Sequence, residues 1–415
     1  MLDGARASAE ACPELGLVRQ SHEAVRGGGH HAAGFSLVDG GLVIDTGGLK
    51  DLAFDPATAT VVAGAGCGWR ELDQVTYVGH GLAGPGGECP TVRNAGYSMG
   101  GGYGFLSRTY GLGCDHILAA RLVTAAGEVL TVTEDEHPDL LWALRGAGGA
   151  GFGVVTSLTY RLDPVPLTLL GGVMAWSLDD AEAVLRAYRD QYVGRDEDRL
   201  SIYLAIVTDP YPHGEPVLLA YGLHVGSVED GERELAPLRA VGTPLFDAFE
   251  PMSYLDLQTA LGNEIMYGLQ LSWRGGYFAD GGFSDEAFGI IVDAARRMPS
   301  GYSMLRFDLL GGGAIGAVAP DATAFVHRSR LFNISVIAQW VRDEEAEANL
   351  RWTDELCDAL APHLSGEVYQ NYADAGLSDW AGAYYGANYP RLQTIKGEYD
   401  PTDFFHHPQS IRLPG

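Results

Sequence analysis

Apolar and polar residues follow one pattern in the first part of the chain, where short apolar runs alternate with glycine turns. Residues 57–63 predict a strand that runs into glycines, and apolar residues at helical spacing predict a helix over 69–78. Two apolar runs around an Ala-Gly turn predict a β-hairpin over 117–132. Pro164 and Pro166 then interrupt the pattern, so we expect the first domain to end there.

A second pattern, with longer elements, occupies the middle of the chain. Helical spacing is found over residues 179–192, 230–241, 285–297 and 344–360. Strand-like runs lie between them, namely LSIYLAIV, PVLLAYGL, YSMLRFDLL and LFNISVIAQW. The mixture predicts an α+β protein in which helices cover a large antiparallel sheet. We therefore predict a first domain at 1–165, a second at 166–365, and a C-terminal segment, 366–415, that returns to the first.

Composition indicates that the chain binds a ligand and argues against several classes of partner. Glycine makes up 57 of 415 residues, roughly twice the usual share, and its excess lies in the first part of the chain, which predicts that this part wraps a ligand. The formal charge of −27 argues against nucleic acid and anionic membranes, because both select basic surfaces. Neither a membrane span nor a secretory signal is recognisable, so we expect a cytoplasmic protein. The five cysteines and the histidines lack the spacing of disulfide frameworks or metal sites.

Two glycine clusters carry candidate chemistry. In the first, three glycines between Arg26 and His30 leave backbone N–H groups uncovered, and such groups form a cradle for a pyrophosphate. The second is GGECPTV at 86–92, which GGGYG follows at 100–104. Neither matches a P-loop or a nicotinamide-binding fingerprint. Taken singly, a loop histidine and a packing cysteine are the commoner interpretations of His30 and Cys89.

Together, these motifs resemble the berberine bridge enzyme-like oxidases of the vanillyl-alcohol oxidase superfamily. Arg26–His30 matches the family's Arg-[Ser/Gly]-Gly-Gly-His, and residues 87–92 match the Gly-x-Cys-Pro-Thr-Val of members that bind flavin through two bonds. GGGYG, DEHPDLLWALRGAGG and the terminal YYGANYPRLQTIKGEYDPTDFFHHPQSI follow in the family's order. The resemblance covers the chain from about residue 25 to its end.

The resemblance implies a two-lobed PCMH-type FAD-binding domain at 1–165 and a substrate-binding domain at 166–365. It implies FAD linked covalently to His30 through the flavin 8α-methyl carbon and to Cys89 through flavin C6. Val92 matches the position that admits O₂ in oxidases of the family. The other cofactor-binding residues that it implies are Arg26, Gly27, Gly28, Gly29, His31, Thr91, Gly96, Gly100, Val154, Val155 and Asn388.

For catalysis, the resemblance implies that Tyr372 is the base, on a strand over 369–374, and that Tyr103 assists it. A tyrosine with its ordinary pKa near ~10 is a poor base at neutral pH, so it needs help. The alternative for Tyr372 is a tyrosine at the edge of the core whose hydroxyl has a structural partner. Tyr302, Met304, Arg306 and Asp308 share one face of their predicted strand, and both a substrate pocket and a solvated face explain this pattern.

Three departures from the family pattern predict local differences. Only 25 residues precede Arg26, so the first βαβ layer is expected to be abbreviated. Arg93 and Asn94 stand where the family commonly has Gly-Val, and Gly151 replaces an asparagine. Both differences are expected to change contacts near the flavin.

The function implied is that of an oxidase that removes a hydride from a hydroxyl-bearing carbon of a glycoside or polycyclic natural product. Flavin N5 accepts the hydride, and O₂ reoxidises the flavin to give H₂O₂. Two alternatives stay open at this point: an oxidative cyclase of secondary metabolism, and a weakly active flavin-binding protein. The expected partners are a small-molecule substrate and O₂, and the chain is a monomer or a homodimer.

Overall fold

The structure, a computed structural model, describes residues 23–195, 198–209, 211–260 and 268–415. The first 22 residues of the predicted FAD-binding domain, Cys12 among them, lie outside the described residues. Within the described part of the chain, no helix has the length and apolarity needed to cross a membrane.

The first lobe is a small mixed structure around an antiparallel sheet. Its strands are β1 Glu23–Arg26, β2 Leu42–Asp45, β3 Leu52–Asp55, β4 Thr60–Gly64, β5 Leu82–Ala83, β6 Ile117–Val123, β7 Val129–Val132, β8 Val154–Arg161 and β9 Asp163–Pro164. Its helices are α1 Trp69–Thr76, α2 Asn94–Met99, α3 Ser107–Tyr110 and α4 Pro138–Ala147. The sheet has the order β3-β4-β8-β6-β7, while β1 pairs with β2 in parallel. The predicted β-hairpin is confirmed as β6 and β7.

The second lobe holds a larger antiparallel sheet and the long helices. Its strands are β10 Leu169–Ser177, β11 Leu200–Asp209, β12 Glu215–His224, β13 Phe246–Asp247, β14 Glu250–Met252, β15 Gln270–Tyr277, β16 Met304–Asp308 and β17 Asn333–Trp340. Its helices are α5 Ala181–Tyr192, α6 Val228–Arg239, α7 Tyr254–Ala260, α8 Asp285–Arg296, α9 Gly313–Gly316 and α10 Ala346–Leu360. The order is β13-β10-β12-β11-β16-β17-β15, with β14 beside β10. This confirms the α+β class and the four long helices predicted from the apolar pattern.

The two faces of the large sheet carry different side chains. On β16, Leu305 and Phe307 pack into the core that α5, α8 and α10 form with the sheet. Their neighbours Arg306 and Asp308 point the other way, toward the first lobe, because side chains alternate along a strand. Asp308 is fully buried there. The solvated-face interpretation is therefore wrong for Arg306 and Asp308, whereas Tyr302 and Met304 are half-buried.

The C-terminal segment packs on the first lobe. It contains α11 Trp380–Tyr385 and α12 Tyr389–Tyr399. Trp380, Ile395 and Ile411 are buried in one cluster with Leu141 and Phe152 of the first lobe. Where the chain divides into domains stays a prediction.

Two local elements differ from the prediction. The predicted strand over 369–374 is wrong, because Gln370–Tyr372 form a 3₁₀ turn in which the Tyr372 N–H donates to the Tyr369 carbonyl at 2.8 Å. Side chains hold this turn on the first lobe: Gln370 Nε2 donates to the Gly146 carbonyl and Asn371 Nδ2 to the Tyr97 carbonyl. Strands β10 and β15 were not predicted, because each contains a Gly-Gly pair that is typical of a turn.

A buried ion pair fastens the end of the chain. Lys396 and Asp400 are both fully buried, with Lys396 Nζ 2.7 Å from Asp400 Oδ2. Lys396 Nζ also donates to the carbonyls of Gly151 and Phe405, each at 2.7 Å, and Asp400 accepts the backbone N–H groups of Phe404 and Phe405. Both charged groups of this Lys396–Asp400 cluster have hydrogen-bond partners, which is the condition under which a buried ion pair is tolerated.

The turn at 370–372 meets the glycines after α2 in tight contact. A Cβ placed on Gly100 would lie 1.9 Å from Oδ1 of Asn371. Asn371 Nδ2 also donates to the hydroxyl of Tyr369, and this hydroxyl accepts the Gly102 N–H at 2.8 Å. Glycine at position 100 therefore lets the C-terminal turn reach α2.

Replacing Asp400 with Asn is expected to lower the free energy of unfolding by about 2 kcal/mol, because it removes the fully buried counterion of Lys396 and leaves only the partly exposed Asp403, 3.1 Å from Nζ. Urea denaturation followed by circular dichroism measures the change. Glu347→Gln is the control, since Glu347 forms an exposed i,i+4 pair with Arg351. That change should cost less than about 0.5 kcal/mol. Equal losses in the two variants would contradict the assignment.

Gly100→Ala is expected to cost about 2 kcal/mol in the same measurement, because the new methyl group has to displace Asn371. The matched control is Gly96→Ala, four residues earlier in α2. Gly96 is exposed and has nothing within 4 Å of a Cβ, so alanine should stabilise the helix by about 0.5 kcal/mol. A neutral Gly100→Ala variant would show that the turn is not held this way.

Candidate functional site

The two residues predicted to hold the flavin lie on either side of Thr91. Oγ1 of Thr91 is 3.1 Å from Nε2 of His30 and 3.4 Å from Sγ of Cys89. The loop is folded by a turn in which the Val92 N–H donates to the Cys89 carbonyl. Motifs separated by 59 positions in the sequence are therefore neighbours, as a flavin held by both residues requires.

The imidazole of His30 has the properties of a nucleophile. Its pKa is lowered, chiefly because surrounding protein atoms remove water from part of the ring, and the charge of Arg93 lowers it further. The backbone of Thr91 opposes this decrease in pKa. At neutral pH the ring is therefore mostly uncharged, and a neutral ring nitrogen keeps the lone pair that forms a bond to carbon.

The glycine loop before His30 is open on one side and tightly packed on the other. Within the described part of the chain, no acceptor approaches the backbone N–H groups of Gly27, Gly28 and Gly29. A Cβ on Gly28 would lie 2.8 Å from Cγ of Arg93, and one on Gly29 would lie 3.0 Å from Nε of Arg26. The loop thus offers bare donors beside an arginine, which is a suitable cradle for a pyrophosphate. Arg26 itself is paired with Asp45 at 3.2 Å.

The unusual Arg93-Asn94 pair has a structural explanation. Asn94 is fully buried, where its Nδ2 donates to the carbonyls of Gly64 and Cys67 and its Oδ1 accepts from Tyr160. The side chain of Arg93 packs over Gly28 in the cofactor loop. Asn94 fixes the start of α2, and Arg93 adds a positive charge beside the glycine cradle.

The second departure, Gly151, is also set by packing. Its φ is +101°, and a Cβ would lie 2.3 Å from the Phe405 carbonyl oxygen. An asparagine side chain cannot fit at this position beside the Lys396–Asp400 cluster. The role of position 151 here is to bring its carbonyl within 2.7 Å of Lys396 Nζ.

His31 belongs to a ring cluster beside the cofactor loop. Its ring centroid lies 4.9 Å from that of Phe35, and Phe35 stacks on His407 at the same distance. Burial lowers the pKa of His31 to about 4 and that of His407 to about 4. Both imidazoles are therefore uncharged at neutral pH and pack as aromatic rings.

Tyr372 packs against strand β15 of the large sheet. Its ring stacks on Trp273 of β15, with centroids 4.9 Å apart, and meets Tyr369 edge to face at 4.8 Å. The recess next to it is lined by Gly275 and Ser335, and Ser335 is the register partner of Arg306 on β16. Burial raises the pKa of the Tyr372 phenol well above its ordinary value, whereas the Arg306 charge opposes that shift. Asp308 and Glu88 add to the increase, so the phenol stays protonated at neutral pH, and the role of Tyr372 as a base stays a prediction.

A charged cluster that sequence analysis did not assemble lies between the lobes. Arg306 pairs through Nη1 with Glu88, directly before Cys89, and through Nε with Asp308 at 2.7 Å. Burial raises the pKa of Glu88, and Arg306 opposes this increase. The signal in the sequence was a single acidic residue in a loop of glycine, cysteine and proline.

Tyr103, the predicted assistant, is buried, and its hydroxyl donates to the Leu309 carbonyl at 2.6 Å. Its ring lies 5.3 Å from that of Tyr203. The phenol O–H thus already donates its hydrogen bond to a backbone carbonyl, and burial raises the pKa of this phenol. The assisting role of Tyr103 stays a prediction.

The remaining predicted cofactor residues are spread around the first lobe. Val154 and Val155 are buried at the start of β8, and Val92 is half-buried beside Thr91. Asn388 is buried, and its Nδ2 donates to carbonyls of the 320–324 loop, the nearest at 2.9 Å from Pro320. The structure therefore brings the His30 and Cys89 loops together, and it gives the amide nitrogen of Asn388 a structural partner.

These residues fit a dinucleotide flavin. The bare N–H groups of Gly27, Gly28 and Gly29 suit its pyrophosphate, while His30 and Cys89 present a nitrogen and a sulfur to one space. Within the described residues, no group of three or more His, Cys, Asp or Glu side chains has the arrangement of a metal site.

Comparison with known proteins agrees with this chemistry. The family model for berberine and berberine-like proteins matches residues 368–412, and the FAD binding domain model matches residues 18–133. An FAD-linked oxidoreductase of Bacillus subtilis is 31% identical over 395 residues, which cover 93% of this chain and 85% of that protein. (R)-6-hydroxynicotine oxidase of Paenarthrobacter nicotinovorans is 28% identical over 414 residues, covering 94% and 86% of the two chains.

Solved structures give the same result. The BBE-like 1 protein of Physcomitrella patens superimposes with a TM-score of 0.89 at 27% identity, over 99% of this chain and 89% of that one. These matches span both lobes and the C-terminal segment, so they assign the whole described chain to one family. The chain belongs to the berberine bridge enzyme-like family of FAD-linked oxidoreductases, within the PCMH superfamily.

Proposed function

We propose that this oxidoreductase carries FAD on both His30 and Cys89 and oxidises a hydroxyl group of a glycoside or polycyclic natural product, with O₂ as the electron acceptor. The observation that carries the proposal is the short path from Nε2 of His30 through Thr91 to Sγ of Cys89. A ring system bound at both atoms is fixed in position and orientation. Val92, half-buried next to this loop, is the residue that we assign to O₂ access.

The chain's own residues supply the proton chemistry. The flavin accepts a hydride when bound, so the protein has to take the proton of the substrate hydroxyl. Tyr372 is the proposed base, held by Trp273 on one side and by Tyr369 on the other. Arg306 stabilises the phenolate, because an adjacent positive charge favours the ionised form. Trp273 and Tyr372 are half-buried and Tyr369 is buried, so the rings cover part of the phenol and strengthen this electrostatic effect.

The names of relatives support a small organic substrate. Tetrahydroberberine oxidase of Berberis wilsoniae is 28% identical over 448 residues, and it is named for a polycyclic compound. Product mass separates simple loss of two hydrogens from loss with formation of a new ring, which is the outcome expected of an oxidative cyclase.

The covalent attachment predicts that yellow colour stays with the wild-type protein after acid precipitation. Peptide mapping should find flavin mass on the His30 and Cys89 fragments, and each single alanine variant should keep one link. The His30→Ala, Cys89→Ala double variant should release its flavin into the supernatant. The Cys357→Ala variant is the control, since Cys357 lies on α10, outside this loop. Free flavin in the wild-type supernatant would contradict the proposal.

The assignment of the base predicts that Tyr372→Phe slows flavin reduction by a substrate alcohol by about a hundredfold or more. Stopped-flow absorbance measures this rate, and a peroxidase-coupled assay measures H₂O₂. Tyr192→Phe is the control, because its hydroxyl donates to the Glu234 carbonyl on the far, helix-covered side of the sheet. The wild-type rate should also rise with pH, since the raised pKa keeps the phenol protonated at neutral pH. A pH dependence that survives in Tyr372→Phe would assign the base elsewhere.

A further inference from the structure

Glu88 connects the cysteine loop to the second lobe. It directly precedes Cys89 and is 7% exposed, in a loop otherwise made of glycine, proline and small residues. Oε1 of its carboxylate pairs with Nη1 of Arg306. Arg306 belongs to β16, so a strand of the large sheet holds the residue next to the cysteine.

Arg306 is itself held in place from three sides. Nε donates to Oδ1 of Asp308 at 2.7 Å, Nη1 pairs with Glu88, and the guanidinium lies 5.0 Å from the ring centroid of Tyr203. A guanidinium is planar, so these contacts fix its orientation as well as its position. Hydrogen bonds between charged groups are among the stronger ones in proteins, and burial strengthens this pair further.

Cys89 therefore has an anchor on each side. Glu88 fastens the loop to the large sheet, and Thr91 fastens it to His30. The thiol lies between these anchors, so its position relative to a ring bound at His30 depends on both of them.

We propose that Glu88 and Arg306 are positioning residues for the bond between Cys89 and the flavin. The inference rests on the proposed attachment at two residues. In the step that they serve, the S–H bond of Cys89 and one ring C–H bond break and an S–C bond forms. The two electrons and two protons released go to O₂, which is reduced to H₂O₂. Reach of the sulfur to the ring carbon limits this step, and a misplacement on the order of 1 Å can cost about a hundredfold in rate.

The test compares both links within the same molecules. Glu88→Gln, Arg306→Gln and Arg306→Lys are purified with their flavin, and peptide mapping gives the fraction of His30-linked protein that also carries the Cys89 link. We expect the two Gln variants to form the second link at least about tenfold more slowly, because the loop loses its charged anchor. Arg306→Lys keeps the charge and should recover part of this rate. Absorption spectra provide a second readout, because a ring with one link absorbs differently from one with two.

The control is a buried pair at the same interface that does not touch the cysteine loop. Arg328 bonds Asp115 through both terminal nitrogens, at 2.6 and 2.8 Å, and is 2% exposed. Arg328→Gln should lower stability and leave the Cys89 link complete. Unchanged occupancy in Glu88→Gln and Arg306→Gln, equal loss of both links, or the same loss in Arg328→Gln would overturn the inference. A wild-type protein without a Cys89 link would instead show that the proposed attachment itself fails.

Discussion

The large sheet is buried on both faces, and this constraint shapes the interface between the lobes. The face covered by helices is satisfied by apolar packing, but the opposite face presents Arg306 and Asp308, which burial would penalise by several kcal/mol if they lacked partners. The first lobe supplies the missing partner through Glu88. Because that residue precedes Cys89, the electrostatic requirement of one lobe ties the cysteine loop of the other lobe to the sheet.

The sequence predicted elements well where the apolar pattern was long and regular. The four helices of the second lobe and the β6–β7 hairpin are at their predicted places, since 3.6-residue and 2-residue periodicities survive in amphipathic elements. Strands β10 and β15 were missed because the backbone of the neighbouring strand lies against their glycines. A Cβ on Gly275 would lie 2.0 Å from the Ile334 carbonyl oxygen, so glycine there reflects close packing in a strand and not a turn.

The candidate site was predictable only in part, for a related reason. Glycines and a histidine in one motif, and a cysteine in another, indicated a cofactor because the motifs resembled a family. No periodicity indicates that Asn371 bonds the Tyr97 carbonyl, or that Glu88 meets Arg306 across 218 positions. Such contacts depend on how the lobes pack. They turned a predicted strand around Tyr372 into a 3₁₀ turn and gave the departures at Asn94 and Gly151 structural roles.

The docking of the C-terminal segment has a consequence for how the protein is made. Ile395 and Ile411 belong to the same buried cluster as Phe152. Lys396 Nζ donates to the carbonyls of both Gly151 and Phe405, and so links the first lobe to the C-terminal segment. Domains generally fold during synthesis from the N-terminus onward, but here the first lobe completes its core only after the segment that carries Ile395 and Ile411 has been made. Until then its sheet is a partly covered intermediate with exposed apolar surface. Docking of the C-terminal segment is therefore the step that removes this apolar surface from water.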